Sequence, residues 1–188
     1  IPLYLEKRKK KQMKNFKKVC TSFLKLSKKT KIFIHCNKKL KSKNKRIKYI
    51  FHSFKNAHPF KLTWYCRNLM EQQKEDYDIF IYCEDDILFT KKNFKYWIEN
   101  KENCIKNDYN LGFLRVEVNK KNKKLYSTDQ VETSKFYVDL SKKKYICLAN
   151  SNCSFWIYDK NEFNKFITSK FWSFEWKWIS ISDILLIR

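Results

Sequence analysis

The chain has 188 residues, with 42 Lys and Arg against 19 Asp and Glu, a formal charge of +23, and 43% hydrophobic and 18% aromatic content. That much apolar material fills the core of one ordinary domain and excludes a disordered polyelectrolyte. A single Gly excludes a P-loop or a G-x-G-x-x-G fingerprint, which disfavours kinases and dehydrogenases, and no run reaches the roughly 18 apolar residues of a membrane-spanning helix.

The basicity is concentrated at the start, because residues 1–50 hold 19 Lys and Arg against one acid, Glu6. Over residues 1–30, Leu5, Met13, Phe16, Val19, Cys20, Phe23, Leu24 and Leu26 include several helical three- and four-residue spacings, which predicts a Lys-rich helical leader with a solvated basic face. Such a face implies peripheral contact with an anionic membrane. KIFIHCN (31–37) and RIKYIFHSF (46–54) read as two strands bracketing a basic loop. His58-Pro59 breaks the chain, and 62–75 places Leu62, Tyr65, Cys66 and Leu69 at helical spacing.

Ile79 to Cys83 is an unbroken apolar run, the pattern of a strand buried on both faces in a parallel or mixed α/β sheet. The acids that follow it then stand at the strand's carboxyl end, where open α/β sheets bind ligands. Thr90 is placed to cap a helix over 91–100 with Phe94, Trp97 and Ile98 inward, and LGFLRVEV (111–118) reads as a returning strand. NKKNKK (119–124) is a surface loop; KFYVDL, YICLAN and SFWIYD are short strands, and KNEFNKFITSKFW (160–172) is a helix. The order is mixed α/β throughout.

Glu84, Asp85 and Asp86 are three consecutive carboxylates. They repel one another, and hard oxygen ligands of this kind suit Mg²⁺ or Mn²⁺, with a bound diphosphate completing the shell. In an extended segment Glu84 and Asp86 fall on one side. A solvated strand-end turn paired with passing lysines is the other reading of the same residues.

With these elements in order, HPFKLTWYCRNLM (58–70), YDIFIYCEDDILFTKKNFKYW (77–97) and LGFLRVE (111–117) resemble the nucleotide-binding half of glycosyltransferases with the GT-A fold. NSNCSFWIYDKNEFNKFITSKFW (150–172) is similar to that family's acceptor-side strand and helix, so the likeness spans roughly 31–174. The resemblance implies a Rossmann-like α/β fold, a mixed central sheet flanked by helices, as a domain over 31–188 behind the 1–30 leader. It implies transfer of a sugar from a nucleotide-sugar donor to the hydroxyl of a glycan, lipid or protein acceptor, with Mn²⁺ or Mg²⁺. The acids stand in place of the family's D-x-D motif, with Glu for the first Asp. Carried over, Asp86 is the direct metal ligand, and Glu84 and Asp85 contact ribose or metal-bound water, with Glu84 as the second metal candidate.

An inverting transferase also needs a carboxylate base. Glu117, Asp129, Glu132, Asp159 and Glu175 are the candidates, and Glu175 leads because Trp172, Phe174, Trp176 and Trp178 around it would stack on sugar faces. An ordinary surface acid among packing aromatics is the competing account. Arg67 is placed either to reach the diphosphate or to pair with Glu71 at i+4. Arg115 and Glu117 alternate on their strand and share a side.

The seven cysteines contain no C-x-x-C pair, which indicates buried thiols rather than a zinc site or a disulfide framework. His35, His52 and His58 share no ligand spacing and read as structural or surface residues. The start at Ile1 and the tail ISISDILLIR suggest an incomplete chain, soluble as given, whose secretory-pathway anchor would lie outside it. Two rivals use the same residues. One is a basic nucleic-acid-binding protein tracking phosphate with residues 1–50, although no specific nucleic acid is indicated; the other is a metal-dependent nuclease built on the acids.

Overall fold

The computed structural model describes residues 1–5, 10–54, 61–119, 121–127, 137–147 and 154–172. The chain forms two compact units, one of residues 1–66 and 81–157 and one of 67–80 and 158–188. The architecture is mixed α/β with four helices and small sheets.

In the first unit, β1 (Pro2–Leu3), β2 (Ile32–Cys36) and β3 (Ile47–Phe51) form a parallel sheet in that order. The crossover from β1 to β2 is α1 (Lys10–Leu24), whose Phe16, Val19, Cys20 and Phe23 are buried while Lys14, Lys17, Lys18 and Thr21 are exposed. The amphipathic period read from the sequence is therefore realised, and its apolar stripe is covered by the unit's own core. Arg46, just before β3, closes the end of α1 by donating to the carbonyls of Leu24 at 3.1 Å and Ser27 at 3.0 Å, a cation satisfying last-turn acceptors. Beyond β1, Asn37 acts as a surrogate strand: its Oδ1 accepts from Leu5 N–H at 2.8 Å and its Nδ2 donates to Leu5 C=O at 3.1 Å.

Residues from both units make up α2 (Lys61–Gln72), β4 (Ile79–Cys83) and β9 (Phe155–Asp159). β4 hydrogen-bonds to β9 in a two-stranded sheet, bracketed by Glu84 N–H to Ser154 C=O at 3.1 Å and Lys160 N–H to Asp78 C=O at 2.9 Å. The mixed α/β character read from the sequence is present, but among the described residues the sheets are small and β4 pairs with β9 alone. The apolar run of β4 is buried chiefly by aromatic rings. Phe80 stacks on Phe163 at 4.0 Å in the second unit, and Tyr82 on Trp156 at 5.9 Å in the first. Large rings here cover the faces of the strand, as helices do in a wider α/β sheet.

α3 (Lys91–Ile105) begins where expected, with Thr90 as N-cap in a reciprocal capping box with Asn93. Its inward face differs, because Trp97, Asn100 and Cys104 are buried whereas Ile98 is 45% exposed. Buried Asn100 is satisfied by donating to the Tyr96 carbonyl at 2.6 Å and accepting from the Lys143 ammonium at 2.5 Å, which accounts for an amide in a core position.

The 111–118 strand is shorter than its pattern. Only Val116–Val118 (β5) pairs, antiparallel to β6 (Leu125–Ser127), around a turn in which Asn119 Oδ1 accepts from Lys121 N–H at 2.8 Å. β7 (Tyr137–Leu140) and β8 (Lys143–Ile146) form a second hairpin. Its two loop residues, Ser141 and Lys142, have φ of 47° and 65°, the left-handed pair that a tight hairpin demands. In the second unit, α4 (Lys160–Ile167) buries Phe163 and starts from a capping box between Asp159 and Glu162. No disulfide joins the described cysteines; Cys20, Cys36, Cys66, Cys83 and Cys104 are buried thiols, and Cys153 lies outside the described residues.

Candidate functional site

The acids follow β4 where its chain direction predicts. Cys83 closes the strand as a buried thiol whose Sγ donates to the carbonyls of Glu84 at 3.2 Å and Ile87 at 3.4 Å. Burial, reinforced by the neighbouring acids, pushes this thiol up to about 12, so Cys83 is neutral packing and no nucleophile. After Glu84 the chain turns at Asp85 and Asp86. The alternation expected of an extended segment does not apply there, and each carboxylate has its own surroundings.

Glu84 is half-buried, with its backbone N–H on Ser154 C=O and its carboxylate hydrogen-bonded by the Ser154 side chain. Burial raises its carboxyl above the usual range; the Ser154 bond and the charge of Arg115 act against that, while Asp86 and Asp85 add to it. Ser154 holds a φ of 52°, a left-handed conformation that a serine adopts at a cost. Asp85 is half-buried and accepts at Oδ2 from Gln12 Nε2 at 2.8 Å, and the same amide donates to Tyr4 C=O at 3.1 Å. Asp86 is exposed.

The site is thus a partly desolvated carboxylate, a second one positioned by an amide, and a third facing solvent. Among the described residues no three His, Cys, Asp or Glu side chains gather as a ready metal group. A cation here would take Asp86 and Glu84 from the protein and complete its shell with water and ligand oxygens, as Mg²⁺ and Mn²⁺ do in phosphate sites.

Arg67 belongs to the second unit and has a packing role there. Its guanidinium donates to the carbonyls of Phe171 and Trp172, both at 2.7 Å, and lies over the rings of Phe166 and Trp172. Glu71, its sequence neighbour at i+4, accepts from Trp172 Nε1 at 2.7 Å. Trp172 is buried, so the first of the four aromatics considered as sugar platforms is core; Phe174, Trp176 and Trp178 lie outside the described residues.

Of the base candidates, Glu175, Asp129 and Glu132 also lie outside the described residues. Glu117 is exposed on β5. Asp159 is engaged as the N-cap of α4, with Oδ1 accepting from Glu162 N–H at 2.8 Å.

Sequence reasoning missed Gln12, Ser154 and a histidine pair. No local pattern marks the first two, since their roles arise from contacts distant along the chain. His35 Nδ1 and His52 Nε2 are 2.9 Å apart with stacked rings, and His52 stacks on Tyr65 at 4.6 Å. Parallel register sets His35 against Ile50, and a strand pairing worked out from sequence would have brought His52 near. Compared with protein-family models, curated proteins and solved structures, the chain matches none.

Proposed function

We propose that the chain is a metal-dependent glycosyltransferase of GT-A type, moving a sugar from a nucleotide-sugar donor to a hydroxyl acceptor. The observation that carries this reading is the acidic turn at the carboxyl end of β4, with Glu84 half-buried and Asp86 exposed. Carboxylates crowded at a strand end and partly desolvated lose repulsion when a divalent cation joins them. The parallel β1-α1-β2 arrangement with β3 alongside, and the α2-β4-α3 order around the acids, have the element types of a nucleotide-binding half.

On this reading Asp86 and Glu84 hold Mn²⁺ or Mg²⁺, and Asp85, oriented by Gln12, takes the ribose or a metal-bound water. The metal would stabilise charge developing on the departing nucleoside diphosphate. Glu175 stands as the acceptor's base, and Arg67 is assigned to packing, no longer to the diphosphate.

Isothermal titration with UDP and GDP, with and without Mn²⁺, tests this before any activity is sought. Saturable, Mn²⁺-dependent binding that Asp86→Ala removes is the expected result. Absence of nucleotide binding, or an Asp86→Ala variant that binds like the parent, would sink the proposal; a nucleotide-sugar panel then identifies the donor.

A further inference from the structure

The basic face of α1 forms one wall of a cleft of about 520 Å³, whose other wall is the segment from Leu88 to Lys91. We propose that this cleft binds a compact, multiply phosphorylated anion. Lys17 and Lys18 come from α1, Lys25 from the turn that follows it, and Lys91 is the first residue of α3, so four lysine side chains line one concavity. None of the four ion-pairs with a described carboxylate, whereas Lys95, Lys101 and Lys160 are paired with Glu99, Glu102 and Glu75. Four like charges around one cavity repel, and a polyanion relieves that repulsion.

The two walls are tied together. Ser22 Oγ donates to Phe89 C=O at 2.5 Å, and Phe23 stacks on Phe89 at 6.1 Å, so the lysines stand on a preformed scaffold. The volume lies within the roughly 300–1,000 Å³ of small-ligand sites. No aromatic ring lines the cleft, so it offers no stacking platform for single-stranded nucleic acid. None of the three acids lines it either, so this site stands apart from the metal reading and can be probed without metal.

The probe is sodium triphosphate titrated into the full chain in EDTA, followed by calorimetry. One saturable site is expected, weakened at least about tenfold in the Lys17→Gln/Lys18→Gln/Lys25→Gln/Lys91→Gln variant. A control, Lys38→Gln/Lys41→Gln/Lys43→Gln/Lys45→Gln, removes the same charge from the exposed loop between β2 and β3 and should lose less than about threefold. Vesicles of phosphatidylinositol bisphosphate, compared with phosphatidylserine vesicles of equal charge, distinguish the sources. A bisphosphate preference competed by triphosphate assigns a lipid headgroup, and triphosphate binding without vesicle binding assigns a soluble ligand; either supports the site. Non-saturating binding, equal losses in both variants, or an oligonucleotide bound through both lysine sets overturns it.

Discussion

Gln12 Nε2 donates to Asp85 Oδ2 at 2.8 Å and to the Tyr4 carbonyl at 3.1 Å, so one amide from α1 ties the first strand segment to the acidic turn. The Lys-rich start of the chain therefore supports the candidate site.

Replacing Gln12 with Leu removes both donations. A lost hydrogen bond to a charged acceptor costs about 1.5–3 kcal/mol at most, less where water reaches the carboxylate. The expected outcome is a stability loss of about 1 kcal/mol by urea denaturation, with Mn²⁺-dependent UDP binding weakened several-fold. Unchanged nucleotide affinity alongside lost stability would show that Asp85 takes no part in binding.

Glu84 leads to a prediction of opposite sign. Its carboxyl is raised by burial and by Asp86 and Asp85, so the folded state binds this proton more tightly than the unfolded chain. The stability it contributes is present below the ordinary carboxylate range and is lost as pH rises through the raised value. At pH 7, Glu84→Gln should therefore be more stable than the parent and less dependent on pH in the acid range. Added Mn²⁺ should raise the Tm of the parent and not of the variant, the trade of stability for function common at sites. A variant less stable than the parent at pH 7 would refute the account.

Local signals were legible where they were strong: β4 ends at Cys83 as its apolar run does, and Thr90 caps α3. The β4 environment was not legible, because an unbroken apolar run looks the same whether helices or single aromatic rings cover its faces. Ile98, expected inward, is exposed and Asn100 is buried for a related reason, since the buried amide depends on Lys143, far along the chain. At the site, the acids announced themselves by charge. Their supports, Gln12 and Ser154, are ordinary polar residues whose roles exist only after the chain folds.

Arg67 separates packing from ligand binding. Lys in its place would keep the charge but lose the planar fork that reaches two carbonyls and lies over two rings. Arg67→Lys should cost about 1–3 kcal/mol and expose the 158–172 segment to limited proteolysis, leaving UDP affinity within about twofold of the parent. A large loss of affinity with intact stability would return Arg67 to the diphosphate.

Ser141 and Lys142 form the β7–β8 loop with positive φ at both positions and no Gly or Asn. Gly adopts this conformation without the Cβ penalty. Lys142→Gly is expected to raise stability by about 1 kcal/mol, measured as a shift in urea midpoint at constant m-value. An unchanged or lower midpoint would mean that the Lys142 side chain contributes more than the strain costs.

The His35–His52 pair sets the acid limit of the fold. His35 is buried, and burial, with the N-terminal ammonium and then His52 adding, lowers its pKa from 6.5 to about 3; burial lowers His52 too. Both rings are therefore neutral in the folded chain at pH values where the unfolded chain has protonated them. The unfolded state then binds more protons, so stability is full above about 6.5 and declines as pH falls toward 3, by up to about 1.4 kcal/mol per pH unit for His35, with a smaller, solvent-screened share from the more exposed His52. The raised carboxyl of Glu84 opposes this only at the acid end, near the carboxylate range. Urea midpoints from pH 8 to 4.5 should fall steadily below 6.5 in the parent. His35→Phe/His52→Phe, which replaces both rings together so that neither nitrogen is left buried without its partner, should flatten the profile. A parent with level stability between pH 7 and 5, or a double variant that keeps the parent's slope, would place the acid sensitivity elsewhere.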